Sequence, residues 1–188
     1  MSKALSKMTL EELWKLFPVF LVPHNEKWNE YYEEIKEFLY KILYGYQIYR
    51  ISHIGSTAVK GIWAKNIIDI LIEISFDEGM EAVADVIECN GFIRMSGDSD
   101  RISFNRGYTE NGFEEKVYHL HLRREGDNDE LYFRDYLNEH PQTAKDYERL
   151  KLDLWKRFEH DRDGYTEAKS SFIKKWTSEA KRVCLGRY

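Results

Sequence analysis

The 188-residue chain is 43% hydrophobic and 32% charged, with 28 Lys and Arg against 33 Asp and Glu for a net charge of −5. Its 5 Trp, 13 Tyr and 10 Phe exclude a solvated, disordered chain, and the length suits a single domain over 1–188 with a sizeable core. The balance is mildly acidic, so the broad positive field of a non-specific duplex binder is absent and broad nucleic-acid binding is not expected; a small anion held by a few local cations is compatible.

No apolar run reaches the roughly 18–20 residues that span a bilayer, so no membrane partner is expected. The start, MSKALSKMTLEEL, has no secretory apolar region, and the two cysteines, Cys89 and Cys184, make no disulfide framework. A reducing, cytoplasmic location is the expectation.

Residues 1–23 read as an N-terminal helical extension. Thr9 and Glu12 form a capping box, and Leu10, Leu13, Trp14 and Phe17 give a short apolar face that Pro18 stops. Asn25 caps a second helix with Trp28, Tyr31, Ile35, Phe38, Leu39 and Ile42 at 3–4 spacing. The pattern then alternates over Tyr46–Ser52 as a strand, followed by a glycine-containing loop, 53–61. Residues 67–74 (IIDILIEI) form the most strand-like segment. Ile68, Ile70, Ile72 and Ile74 share one face and Ile67, Asp69, Leu71 and Glu73 the other, the pattern of a central strand covered on both sides. A helix over 77–90 ends at Asn90-Gly91, and strands follow near 92–96, 101–106 and 116–123, the last two joined by an Asn111-Gly112 turn. Helices fill 128–183: one over 129–139, one opened by Pro141 with Ala144, Tyr147, Leu150, Leu154 and Phe158 on its face, and one after Asp163 carrying Tyr165, Ala168, Phe172, Trp176 and Val183. The result is an α/β (α+β) chain with a mixed five-stranded sheet and helices at both ends.

Gly55-Ser56 with Asp69 is the first candidate site. A glycine turn lets the backbone approach a phosphate, and the serine hydroxyl and neighbouring N–H groups bind its oxygens. A carboxylate on the next strand can hold Mg²⁺ against that phosphate. The competing reading is a structural Asp69 that accepts hydrogen bonds from the 53–61 loop.

His53-Ile-Gly-Ser-Thr-Ala-Val-Lys-Gly61, followed by Ala64-Lys65-Asn66-Ile-Ile-Asp69-Ile70, resembles the signature of the GrpB family. Tyr118-His-Leu-His-Leu122, Phe133-Arg-Asp-Tyr-Leu137 with His140-Pro141, and Tyr165-Thr-Glu-Ala-Lys169 resemble its later motifs, so the likeness runs from about residue 24 to 176. It implies a nucleotidyltransferase-like (polymerase-β-type) fold, in which a Gly-Ser turn binds a nucleoside triphosphate and Asp-x-Asp on the next strand binds divalent metal, Mg²⁺ or Mn²⁺. Residue by residue, Gly55, Ser56 and Thr57 match the turn and Asp69 the first acid. Some family members are fused to dephospho-coenzyme A kinase, a further nucleotide connection.

The chain departs from that pattern at Leu71, where the second acid belongs. Glu73 shares the face but lies roughly 13 Å along the strand, too far for one ion to bridge to Asp69. On the strand 117–123, Val117, His119, His121 and Arg123 point one way. His119 and His121 at i and i+2 are close enough to ligate one ion. The resemblance implies a third acid on a neighbouring strand, a place that either histidine can take; Asp69 with His119 and His121, and His53 as a further option, would favour a transition metal over Mg²⁺. The competing reading makes both histidines structural partners of Asp69. Lys65, Arg101 and Arg123 are candidate phosphate cations, arginine's fork suiting the geometry. Lys60 and Trp63 replace the family's usual proline and small residue. Arg134 is expected to brace the end of the sheet and Asp135, one step away, not to pair with it; Lys169 resembles Arg134 in this respect, with the added option of reaching the cleft from the last helix.

Three functions fit this pattern. The first is a metal-dependent nucleotidyltransferase with Ser56 and Asp69 at its centre. The second is a catalytically degenerate binder of a nucleotide or similar anion, which Leu71 favours. The third is a metal-dependent hydrolase built on Asp69, His119 and His121.

Overall fold

The computed structural model describes residues 4–184 and 186–188. Its elements in chain order are α1 (Leu10–Leu16), α2 (Lys27–Ile42), β1 (Ile48–Ile54), β2 (Ile68–Ile74), α3 (Met80–Cys89), β3 (Ile93–Gly97), β4 (Arg101–Thr109), β5 (Gly112–Arg124), α4 (Asp129–Glu139), α5 (Pro141–Arg157) and α6 (Arg162–Val183). One mixed sheet runs in the order β1-β2-β5-β4-β3, with only β2 and β5 parallel. None of the described helices is long and apolar enough to cross a membrane.

The expected alternation of β2 organises the molecule. Ile68, Ile70, Ile72 and Ile74 join Tyr118, Leu120 and Leu122 of β5 in one core, sealed by Trp28, Tyr32, Ile35 and Leu39 of α2 and by Met80, Val83, Ala84 and Ile87 of α3. On the opposite face, Leu71 packs with Ile54 of β1 and Leu131 of α4. Farther along that face Glu73 is fully buried. It receives Arg50 Nε at 3.0 Å and hydrogen bonds from Gly126 N and Asn128 Nδ2, each at 3.0 Å. A buried carboxylate whose Oε1 takes two hydrogen bonds and whose Oε2 is held by the Arg50 ion pair is structural.

The last three helices clasp the 55–66 loop onto this second face. Val59 and Ile62 pack with Leu137, Ala144 and Tyr147. Polar ties reinforce the clasp: Asn138 Nδ2 donates to Ala58 O at 3.1 Å, Trp63 N to Glu148 Oε1 at 2.7 Å, and Lys145 Nζ to Gly61 O at 2.7 Å.

Several boundaries move. The first strand starts at Ile48 rather than Tyr46, because Tyr46 N still closes the end of α2 through Leu43 O, and it continues to Ile54. The helix expected from residue 77 begins at Met80; Glu78 is held outside it by Gln47 N at 2.8 Å, while Arg124 grips the Glu78 carbonyl at 2.7 Å. The cap position of α2 is Glu26 rather than Asn25, which stands one residue earlier with its Oδ1 accepting from Lys27 N at 3.1 Å, and Tyr32 rather than Tyr31 is the buried tyrosine. The Thr9 capping box forms. The apolar face of α1, however, is not core: no residue of α1 is buried, and only Phe17 beyond its end is. In α6, Val183 is exposed; Thr177 and Ala180 are buried with Tyr165 instead.

Candidate phosphate-binding cavity

Strand register places the candidate residues in a row. Ile54 pairs with Asp69, Asp69 with His119, and His119 with Asn105, so Asp69 and His119 stand side by side on the second face. β1 ends at Ile54, and Gly55, at φ +70°, turns the chain into the short helical turn Ser56–Ala58. A Cβ on Gly55 would lie 2.3 Å from Asp69 Oδ2. The glycine therefore makes room for the Asp69 carboxylate, a tighter demand than the phosphate approach inferred from sequence.

The turn is locked from below. His53 Nε2 lies 2.9 Å from Thr57 Oγ1, and that hydroxyl donates to Ile67 O at 3.1 Å, which makes Nε2 the protonated nitrogen of His53. The ring stacks on Tyr32 at 4.8 Å, and burial pushes its pKa down to about 4. The Thr57 hydroxyl is thus committed to the loop rather than presented to a ligand. Ser56 borders the cavity, with its hydroxyl against the Tyr147 phenol, whose pKa burial pushes up to about 12.

A chain of hydrogen bonds crosses the row. Arg162 Nη2 donates to Tyr108 Oη at 3.0 Å, Tyr108 Oη lies 2.7 Å from His119 Nε2, and His119 Nδ1 lies 3.1 Å from Asp69 Oδ1. The polarity follows from its ends: the guanidinium only donates and the carboxylate only accepts, so Tyr108 donates to Nε2 and Nδ1–H donates to Asp69. Burial lowers the pKa of His119 against the pull of Asp69 and raises that of Tyr108, which suits a neutral imidazole and a neutral phenol. Burial opposes ionisation of Asp69, but the hydrogen bond from His119 and the nearby His121 imidazole outweigh it and hold the carboxyl below the usual range. His121 Nε2 stands 3.8 Å from Asp69 Oδ1, and its Nδ1 is buried without a hydrogen-bond partner among the described residues.

Asp69 and His119 open into a cavity of about 1140 Å³ between the second sheet face, α1 and the C-terminal helices. Basic and acidic side chains both line it, and four of the cations, Lys65 from the loop before β2, Lys151 from α5, and Arg162 and Lys169 from α6, feel one another's charge. Lys65 and Lys169 share the Tyr165 ring, at 5.4 and 4.2 Å from its centroid, and neither has an ion-pair carboxylate among the described residues. Burial, reinforced by the charges of Lys169 and Arg162, pulls Lys65 down to about 7. Burial with the Lys169 charge takes Lys151 to about 7, and burial takes Lys169 to about 8. Lys151 is fully buried; its ammonium donates to Trp63 O and stands 4.9 Å from the Tyr147 ring centroid.

Two of the sequence candidates lie elsewhere. Arg123 pairs in register with Glu73 and Arg101, four residues along the strands from the Asp69–His119 pair, roughly 13 Å away. There Arg101 makes a two-pronged ion pair with Asp127 at 2.7 Å on each prong, and Arg123 caps the carbonyls of Ile102 and Leu122. The structure gives both a brace role, not a place at the cavity. Arg134 does brace β1, donating to His53 O at 2.8 Å, but Asp135 does pair with it, Nε to Oδ1 at 2.6 Å, because Tyr188 draws both side chains to one spot.

Four residues of the site were missed by sequence reasoning: Lys151, Arg162, Tyr108 and Tyr147 as a Ser56 partner. Only Lys151 left a signal, a lysine at i+4 from Tyr147 and i−3 from Leu154 on an otherwise apolar helix face.

The donor set does not fit a metal centre of the expected kind. Two-ion phosphoryl transfer needs several carboxylate oxygens around ions about 3.5–4 Å apart. Leu71 is sealed under Leu131, Glu73 is consumed by Arg50, and His119 spends Nδ1 on Asp69 and Nε2 on Tyr108. Among the described residues, no group of three or more His, Cys, Asp or Glu is placed to hold a metal ion.

The GrpB protein family model matches residues 18–179, which include the turn, Asp69, both histidines and Lys65, Lys151, Arg162 and Lys169. The chain belongs to the GrpB family. It is 34% identical over 184 residues to the UPF0157 protein YqkA of Bacillus subtilis (strain 168), covering 95% of this chain but about half, 52%, of that relative's length. It is 35% identical over 167 residues to the glutamate-rich protein GrpB of Alkalihalophilus pseudofirmus, covering 82% of this chain and 91% of the relative. The crystal structure of conserved protein GrpB from Enterococcus faecalis superposes with a TM-score of 0.74 at 30% identity, covering 87% of this chain and 98% of that one. This likeness supports the fold expected from the sequence.

Proposed function

We propose that this GrpB-family chain binds a phosphate-bearing small molecule of the nucleotide class in the cavity, with lysine and arginine side chains, rather than a cluster of metal ions, neutralising its oxygens. The observation that carries this reading is the cluster of Lys65, Lys151, Arg162 and Lys169, of which Lys65 and Lys169 feel the Asp69 charge; the other carboxylates that line the cavity, Asp129, Glu130 and Asp163, make no ion pair with these four among the described residues. Lys65 and Lys169 stand in a partly dehydrated cavity without a counter-charge in contact, an arrangement that costs free energy until an anion fills it. A ligand with several negative charges returns both lysines to full protonation and joins them to Arg162. Gly55, Ser56 and Thr57 of the turn line the same cavity.

The nucleotide class has one further support. A dephospho-CoA kinase of Mycobacterium tuberculosis is 27% identical over 181 residues, with 44% of its length covered. The Tyr108–His119–Asp69 chain keeps Asp69 ionised, so that the carboxylate offsets part of the lysine charge while the cavity is empty.

Calorimetric titration with ATP and with inorganic tripolyphosphate, in EDTA and again in Mg²⁺, tests this reading. Binding is expected in both buffers. Lys65→Met and Lys169→Met are each expected to weaken it about tenfold or more, the scale of a lost charged hydrogen bond. No binding in EDTA, with tight binding restored by Mg²⁺ or Mn²⁺, would return the site to metal-dependent chemistry.

A further inference from the structure

The cavity has a second end that the lysines do not explain. Leu10, Leu13 and Trp14 of α1 line it, yet no residue of α1 is buried and Leu10 is 55% exposed. Apolar side chains that face a cavity at helical spacing, without a packed partner, are unusual in a folded chain. Trp14 makes no hydrogen bond or ring contact with a described residue. The wall continues inward as a file of rings: Phe17 meets Tyr108 at 4.8 Å, and Tyr108 stacks on His119 at 5.9 Å and 16°. It ends at the residues that hold Asp69.

We propose that α1 forms a ring-binding subsite, with Trp14 stacking on the nucleobase of the ligand whose phosphates meet Lys65 and Lys169. This rests on the reading of the cavity as a phosphate site and assigns its other half. Charge complementarity orients the ligand: Lys65, Lys151, Arg162 and Lys169 lie on the loop before β2, α5 and α6, and the lining Arg94 and Arg134 are spent on Glu81 and Asp135, whereas α1 contributes only apolar side chains and Ser6 lies before it. The space, about 1140 Å³, greatly exceeds what a bare polyphosphate fills. Flat rings along the wall suit a planar base, and Asn105 on the cavity floor offers an amide to its edge. The family match begins at residue 18, so the cationic end lies inside the family segment and the apolar end before it. Selectivity for the base is thereby assigned to a segment outside the part that carries phosphate binding.

Titration of the metal-free full chain with ATP, inorganic tripolyphosphate and geranyl diphosphate tests the assignment. ATP is expected to bind about tenfold tighter than tripolyphosphate, the scale of one base–aromatic stack. Trp14→Ala is expected to remove that advantage and leave tripolyphosphate within about twofold of the parent, while Trp14→Phe keeps most of it. Leu13→Ser, checked with Trp14→Ala by thermal melting, provides a second variant should the first disturb the fold. Equal affinity for ATP and tripolyphosphate in the parent, an equal loss for both in Trp14→Ala, or geranyl diphosphate binding more tightly than ATP would each overturn the ring subsite and leave the lysine end standing. Failure of both ATP and tripolyphosphate to bind the parent would remove the phosphate reading, and this inference with it.

Discussion

The two faces of the sheet come from the same alternation in β2 and β5, and they are used in opposite ways. Toward α2 and α3, Ile68, Ile70, Ile72 and Leu120 meet apolar partners and exclude water. Toward the C-terminal helices, the intervening positions carry Asp69, His119 and His121, and the helices stand off to leave a cavity in which Lys65 and Lys169 have no ion-pair carboxylate among the described residues. The first face supplies stability through buried area; the second holds charges apart until a ligand joins them. Leu71 sits at the boundary: on the polar face, yet packed as core under α4.

Breaking that boundary should have the largest effect. Leu71→Asp restores the acid of the superfamily pattern but places it beneath Leu131 without a partner, and a loss of about 3–5 kcal/mol is expected in urea unfolding. A fully stable Leu71→Asp protein that gains Mg²⁺ binding would show that this position belongs to a metal site after all. Next comes Gly55→Ala. Its methyl group would press on Asp69 Oδ2 from a left-handed backbone, so about 2–3 kcal/mol of stability should be lost, together with displacement of Asp69 from His119. A neutral Gly55→Ala would mean that Asp69 is free to move aside.

The pH dependence separates the two faces without mutation. Lys65, Lys151 and Lys169 have native pKa values of about 7 to 8, below the unfolded value near 10.4. Between those limits the unfolded chain holds more protons, so stability of the ligand-free protein should rise as pH climbs from about 7 toward 10. His53, at about 4 in the native state, makes stability fall as pH drops from about 6.5 to 4, where only the unfolded chain takes the proton. Melting temperatures across pH 4 to 10 check both arms, and a flat alkaline arm would mean that the lysines are solvated. The smallest effect belongs to Thr9→Ala, which removes an exposed capping box from α1 and should cost about 1 kcal/mol or less while leaving both faces intact.

How far the sequence discloses this arrangement depends on how local the determinant is. Period-two alternation exposed both strand faces; that His119 stands beside Asp69 was implied by the family resemblance, and the β2–β5 register sets it. The same parity misplaced Arg101 and Arg123: sharing a face with His119 says nothing about position along it, and the parallel register of β2 on β5 sets that position. Lys151 was legible as a charge on an apolar helix stripe. Arg162 and Tyr108 were not, because their contact joins the start of α6 to the β4–β5 hairpin, 54 residues apart, through packing that no local pattern encodes. Gly55 was read for the right property, its lack of a Cβ, but the group that needs the space is a carboxylate of the chain itself.

The role of Asp69 gives the sharpest test. If the lysines and Arg162 bind phosphate directly, the Asp69 carboxylate repels the ligand; if a metal bridges, that carboxylate is indispensable. The measurement is the affinity of Asp69→Asn for ATP in EDTA, since asparagine keeps an oxygen to accept from His119 while losing the charge. Direct binding by cations predicts affinity equal to the parent's or tighter. A loss of tenfold or more, with the parent itself dependent on Mg²⁺, would contradict it.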